Sequence, residues 1–111
     1  MTKMRLFLAA LLFLTITTGI ASPSLAAQSD GAALFETHCA GCHPQGKNIL
    51  RRGKNLKLKA LQKNEVDTVD AIATLVTHGK NNMSAYANTL SAPEIQAVSA
   101  YVLDQAQQGW H

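Results

Sequence analysis

The stretch Cys39-Ala40-Gly41-Cys42-His43 places two thiols two residues apart and an imidazole directly after the second. That spacing suits addition of both sulfurs to the two vinyl groups of one haem, and the adjacent imidazole is then carried under the iron. Five residues thus supply covalent attachment through Cys39 and Cys42 and one axial ligand, His43. Two other readings use the same cysteines, a Cys-x-x-Cys redox disulfide and half of a zinc site. Zinc needs further ligands, and the sequence has no second cysteine pair. A redox dithiol is expected in a β-α-β setting, and no segment here alternates with period two.

Working outward, the segment before the motif reads as a helix. Ser29 or Asp30 can cap it, and Gly31 to Phe35 carry it to about Cys39, with Gly31 and Phe35 on one face. After the motif, from His43 to Asn55, periodicity disappears and Pro44, Gly46, Asn48 and Gly53 mark a loop. So long a loop in a small domain calls for a function, and wrapping a cofactor supplies one. Leu56 to Leu61 can form a short helix. Val69, Ile72 and Val76 give an apolar stripe to a helix over about Thr68 to His78, stopped by Gly79. Lys80 to Leu90 is irregular. The last helix opens with Ser91-Ala92-Pro93-Glu94, a capping box, and carries Ile95, Val98 and Val102 on one side with Tyr101 beside them. The expected class is all-α, four to five short helices around one covalently bound haem.

Residues 1–26 read as a secretory signal. Lys3 and Arg5 precede an uncharged apolar stretch from Leu6 to Ile20, and Ser24-Leu25-Ala26 offers a small-residue site for cleavage before Ala27. The apolar stretch falls short of the ~20 residues that span a bilayer, so no stable membrane insertion is expected after cleavage. The remaining domain, residues 27–111, has eight Lys and Arg against seven Asp and Glu. Near-neutrality and export both argue against a nucleic-acid partner. A domain of this size buries a modest share of its surface, which fits one that leans on a cofactor.

The side chains with a donor suited to the sixth iron position are His38, His78, His111 and Met83. His38 adjoins a haem-bonded cysteine and cannot easily reach the other face. His111 ends the chain. His78 in a last helical turn is explained by its interaction with the helix C-terminus. Met83 is the only methionine of residues 27–111, and its irregular loop can bend a thioether onto iron. Imidazole with thioether favours reduced iron more than two imidazoles do, so a comparatively high potential is expected. Two protein ligands leave no open site, which favours an electron carrier over an enzyme. Two other functions remain open: a haem redox sensor or regulatory module in which Met83 dissociates, and a small haem enzyme such as a peroxidase.

These residues resemble cytochrome c6, the soluble c-type cytochrome of cyanobacterial and algal photosynthesis. The resemblance rests on Gly31 and Phe35, the Cys39–His43 motif, Gly46 and Asn48, Lys54-Asn55-Leu56, Gly79-Lys80 ahead of Met83, and Ile95 to Val102 with Trp110. It implies the class I cytochrome c fold, with the first and last helices crossing through Gly31, Phe35 and Tyr101, and a single haem c iron. It also implies a monomer in the thylakoid lumen or periplasm, taking electrons from cytochrome b6f and passing them to photosystem I or a terminal oxidase. The chain departs from the usual family pattern at four places. Leu75 stands for a glutamine beside the haem, Thr89 for an arginine, Ser84 for a proline and Tyr86 for a tryptophan. Such departures point to a divergent c6-like paralogue. Leu75 can be a core leucine or a tuner of potential, and divergent paralogues with an apolar residue there suggest a lowered one.

Lys47, Arg51, Arg52, Lys54, Lys57, Lys59 and Lys63 form a run without an acid, while Glu65, Asp67 and Asp70 cluster after it. Such a run is either a solvated face or a docking patch that speeds encounter with an acidic partner.

Overall fold

A computed structural model describes Gly19 and residues 25–111. The expected signal segment, residues 1–26, lies outside the described residues apart from Gly19, Leu25 and Ala26. The described residues form four α-helices: α1 (Leu25–His38), α2 (Leu58–Lys63), α3 (Val69–His78) and α4 (Ala92–Gln108). Short 3-10 turns span Pro44–Gly46 and Arg52–Lys54. Among the described residues the one β-type contact is an isolated bridge between Lys80 and Met83, so the all-α expectation holds.

Local capping chemistry sets several helix ends. The Thr68 side chain accepts a bond from the Ala71 amide at 3.1 Å and starts α3, and Gly79, at φ 67° and ψ 174°, ends it. At α4 the Glu94 amide donates to Ser91 Oγ at 3.2 Å, and the Ser91 amide donates to Glu94 Oε1 at 2.9 Å, the expected capping box. Gly109 closes α4 in the left-handed region.

Two boundaries differ from the sequence reading. α1 begins at Leu25, ahead of Ser29 and Asp30, where Leu25, Ala26, Ala27 and Gln28 are strong helix formers that extend the helix upstream. α2 begins at Leu58 instead of Leu56. The cause is tertiary: the Leu56 amide donates to the Gly46 carbonyl at 2.7 Å, and the Leu56 carbonyl accepts from Trp110 Nε1 at 2.9 Å. These contacts hold Leu56 in the preceding loop, and Lys57 takes the N-cap position of α2.

Helices α1 and α4 cross where Gly31 removes the obstacle. A Cβ at Gly31 would stand 2.5 Å from the Ala97 carbonyl oxygen and 2.8 Å from Tyr101 Cβ. Phe35, one turn later, is 2% exposed, and its ring centroid lies 5.5 Å from that of Tyr101 and 5.1 Å from that of Trp110. The expected crossing through Gly31, Phe35 and Tyr101 is therefore present. Ile72 and Val76 of α3 and Ile95, Val98 and Val102 of α4 complete the core with Leu61 and Leu90. Each such side chain gains roughly 1.5–3 kcal/mol on burial. That core forms one wall of a cavity.

Candidate functional site

Cys39, Cys42, His43 and Met83 all line one cavity of about 390 Å³, whose apolar wall includes Phe35, Leu61, Ile72, Val98 and Val102. At the end of α1 the chain tightens into a turn. The Cys39 and Ala40 amides both donate to the Phe35 carbonyl, and the Cys42 and His43 amides both donate to the Cys39 carbonyl, at 3.2 and 2.9 Å. This turn folds the two cysteines and the histidine back along one side of the cavity.

His43 Nδ1 lies 2.9 Å from the Lys47 carbonyl oxygen. A carbonyl only accepts, so Nδ1 carries the proton and Nε2 keeps its lone pair. Burial lowers the His43 pKa, partly opposed by the Lys47 bond, so the ring is a neutral donor at neutral pH. Burial, with the Cys42 charge adding to it, pushes the Cys39 thiol up to about 11. Thiol-disulfide catalysis works through a low-pKa thiolate, so Cys39 is poorly suited to that chemistry.

Met83 is carried by a tight hairpin after α3. The Lys80 amide donates to the Met83 carbonyl and the Met83 amide to the Lys80 carbonyl, both at 3.0 Å. A Cβ at Gly79 would stand 2.5 Å from the Met83 carbonyl oxygen and 2.7 Å from the Ala85 nitrogen, so the hairpin packs directly on the glycine. Tyr86 then fastens the loop twice. Its amide donates to the Val76 carbonyl at 2.9 Å, and its hydroxyl donates to the His38 carbonyl at 2.9 Å, just before Cys39. Burial raises the Tyr86 pKa, which keeps the hydroxyl a donor.

The third side is the loop after His43. Asn48 Oδ1 accepts from the Leu50 and Arg51 amides at 2.9 and 2.8 Å, while Asn48 Nδ2 donates to the Lys54 carbonyl at 3.0 Å. Asn64 Nδ2 reaches the Gly53 carbonyl at 3.1 Å, and Lys54 Nζ donates to Asn64 Oδ1 at 2.7 Å. Trp110 pins the far end through Leu56, and its indole fills the place where a Cβ on Gly46 would project.

Of the other sixth-ligand candidates, His78 and His111 fall elsewhere. His38 lines the same cavity, with its ring edge-on to Tyr86 at a centroid distance of 6.2 Å. His78 lines a separate groove of about 360 Å³ between α3 and α4, beside Asp70 and Gln96. His111 is exposed and lines neither. Leu75 lines the cavity from α3 and is half-buried. The braces Asn64 and Tyr86 were not singled out by motif reading as holding the site. A family comparison flags Tyr86 only as a departure. No local signal announces contacts 11 and 48 residues apart.

The donor set suits a covalently bound haem. Two thiols are available for attachment, one imidazole has its distal nitrogen free, and one thioether joins them in a cavity with a largely apolar wall.

Comparison with known proteins agrees with that chemistry. The family described as "Cytochrome C oxidase, cbb3-type, subunit III" matches residues 26–102. A cytochrome c6-like protein of Nostoc sp. is 51% identical over 108 residues, covering 96% of each chain. Cytochrome c6 of Microcystis aeruginosa is 48% identical over 81 residues, 73% of this chain and all of that one. The crystal structure of cytochrome c6C from a Synechococcus species superposes with a TM-score of 0.70 at 63% identity, covering 71% of this chain and 96% of that one. The fold is that of class I cytochromes c.

Proposed function

This chain belongs to the cytochrome c6 family of electron carriers and carries one covalent haem c, and from that premise we propose that it is a one-electron carrier with His43 and Met83 as axial ligands. Cys39 and Cys42 hold the haem through thioethers in this reading. The observation that carries it is that all four side chains line one cavity, 40 residues of sequence apart at the extremes that bind iron.

A bound haem supplies reversible one-electron exchange at its iron. The chain's own residues set the terms. The Lys47 carbonyl fixes the His43 tautomer and ring orientation, so Nε2 is the nitrogen that would hold the iron. Gly79 and Tyr86 hold the Met83 hairpin against the cavity, which favours a closed sixth position. The apolar wall limits water, so few mobile dipoles would have to reorient when a bound haem exchanged an electron. Were His43 and Met83 both to hold the haem iron, no position would be left for substrate or oxygen, which fits a carrier with no catalytic residue.

The partners implied by the family are cytochrome b6f on the donor side and photosystem I or a terminal oxidase on the acceptor side. The location implied is the thylakoid lumen or periplasm, reached through a signal over residues 1–26 that leaves residues 27–111 as a monomeric domain. No helix among the described residues is long and apolar enough to cross a membrane.

A second reading, a redox sensor in which Met83 dissociates, makes the opposite demand on the hairpin. Carbon monoxide binding to the reduced protein separates the two. The carrier predicts slow, incomplete binding limited by Met83 release. Rapid saturation would refute it and favour the sensor.

A further inference from the structure

Trp110 has a backbone conformation that a bulky residue rarely adopts, φ 61°, directly after Gly109 at φ 82°. Strain of this kind persists only where surrounding contacts over-determine it. Here those contacts are visible. The Trp110 amide donates to the Gln105 carbonyl at 2.8 Å, and the indole Nε1–H donates to the Leu56 carbonyl at 2.9 Å. The indole also occupies the space into which a Cβ on Gly46 would project. Gly46 and Leu56 are joined in turn, because the Leu56 amide donates to the Gly46 carbonyl at 2.7 Å. Trp110 thus closes the two ends of the 46–56 loop into one neck, and its ring centroid lies 5.1 Å from that of buried Phe35.

The neck leads to His43. Lys47 follows Gly46, and its carbonyl accepts from His43 Nδ1 at 2.9 Å, while the Gly46 amide donates to the His43 carbonyl at 3.1 Å. Trp110 lines no part of the cavity that contains Cys39, Cys42, His43 and Met83, so its influence on a bound iron passes through this neck. Resting on the carrier reading with His43 as ligand, we infer that Trp110 is a positioning residue for His43. The indole holds the Gly46–Leu56 neck, the neck holds the Lys47 carbonyl, and that carbonyl keeps the imidazole a strong donor. A bond from the second ring nitrogen raises the basicity of a ligand imidazole and fixes its plane. A stronger donor favours oxidised iron, so the indole contributes to a lower potential. A residue at the end of the chain thereby tunes the site from outside its lining.

The test uses the haem-loaded protein, reduced for proton spectroscopy. In wild type the Trp110 Nε1 and His43 Nδ1 protons should exchange with solvent through one shared opening, with protection factors within about threefold of each other and the same dependence on dilute urea. A wider gap overturns the inference. Trp110→Phe keeps a ring over Gly46 and removes the donor to Leu56. It should lower His43 Nδ1 protection by about tenfold and raise the midpoint potential. Simple loosening that admitted water would stabilise the charged oxidised haem and lower the potential, so the sign separates positioning from a merely structural role. Ile95→Val is the stability control, because Ile95 is buried on α4 and lies outside the cavity lining. It should melt earlier yet keep His43 protection within about twofold and leave the potential unmoved. A potential that falls or stays put in Trp110→Phe, or protection that Ile95→Val lowers as much, overturns the inference. If Trp110→Phe does not retain haem, the wild-type exchange comparison decides alone. A His43 ring on iron carries large upfield shifts from the porphyrin ring current. Their absence in wild type would overturn the carrier reading and this inference together, whereas their presence with unmoved protection in Trp110→Phe overturns this inference alone.

Discussion

Replacing Gly79 with alanine strikes the hairpin that carries Met83. Two costs add. The glycine sits at φ 67° and ψ 174°, a region essentially restricted to glycine, where another residue costs about 1–3 kcal/mol. The new methyl carbon would also lie 2.5 Å from the Met83 carbonyl oxygen, 2.7 Å from the Ala85 nitrogen and 2.8 Å from the Ser84 carbonyl carbon. All three are backbone atoms, so no rotamer change relieves the clash, and overpacking of this kind costs about 1–3 kcal/mol more. Each kcal/mol lowers the melting temperature of a domain this size by about 4–8 °C, so a fall on the order of 10 °C or more is expected. The relief available is a shift of residues 83–85 away from α3, which carries the thioether with it. Denaturation of the haem-loaded protein should therefore show lost stability together with a weakened sulfur-to-iron charge-transfer band. Gly53→Ala is the control, because its Cβ meets nothing within 4 Å, and it should stay within about 0.5 kcal/mol of wild type. If Gly79→Ala matches Gly53→Ala in both stability and band, the hairpin does not depend on the glycine and the reasoning fails.

Leu75→Gln places an amide in the cavity lining, and by resemblance to c6 proteins with glutamine there the midpoint potential should rise; an unchanged or lower value in a redox titration would sink the idea. Tyr86→Phe removes the hydroxyl bond to the His38 carbonyl, at a cost of about 0.5–1.5 kcal/mol. It should speed carbon monoxide binding to the reduced protein, and equal rates would show that this bond does not restrain Met83. Glu94 has its pKa held below the usual carboxylate range, first by the Ser91 backbone bond and then by the Ser91 hydroxyl. A depressed folded-state value gives stability that is present above the ordinary pKa near 4.5 and lost as pH falls through the folded value. Glu94→Gln should accordingly lose less of its urea midpoint on acidification than wild type does, and parallel losses would contradict this.

What could be read from the sequence was what neighbouring residues decide. The Ser91–Glu94 box and the Thr68 and Gly79 ends of α3 all act within a few residues, and the structure places each as expected. Met83 is proposed as sixth ligand by elimination, because few side chains carry a suitable donor. The start of α2 was misread because Leu56 is claimed by Gly46 and Trp110, the latter 54 positions away. The start of α1 was misread because two plausible caps lay inside a run of helix formers. The Asn48 and Asn64 braces and the Tyr86 tether are long-range bonds without periodicity, so nothing local marks the wall they build. Leu75 was noticed as a departure from a family pattern, and the cavity lining gives that departure a physical place.

Met83 ligation decides between a carrier and the other haem functions, and the near-infrared sulfur-to-iron charge-transfer band of the oxidised, haem-loaded protein reports it directly. The band should be present and stable in wild type and absent in Met83→Leu, which keeps the apolar bulk and loses the donor. A wild-type protein without the band, or a Met83→Leu protein that retains it, would contradict the account.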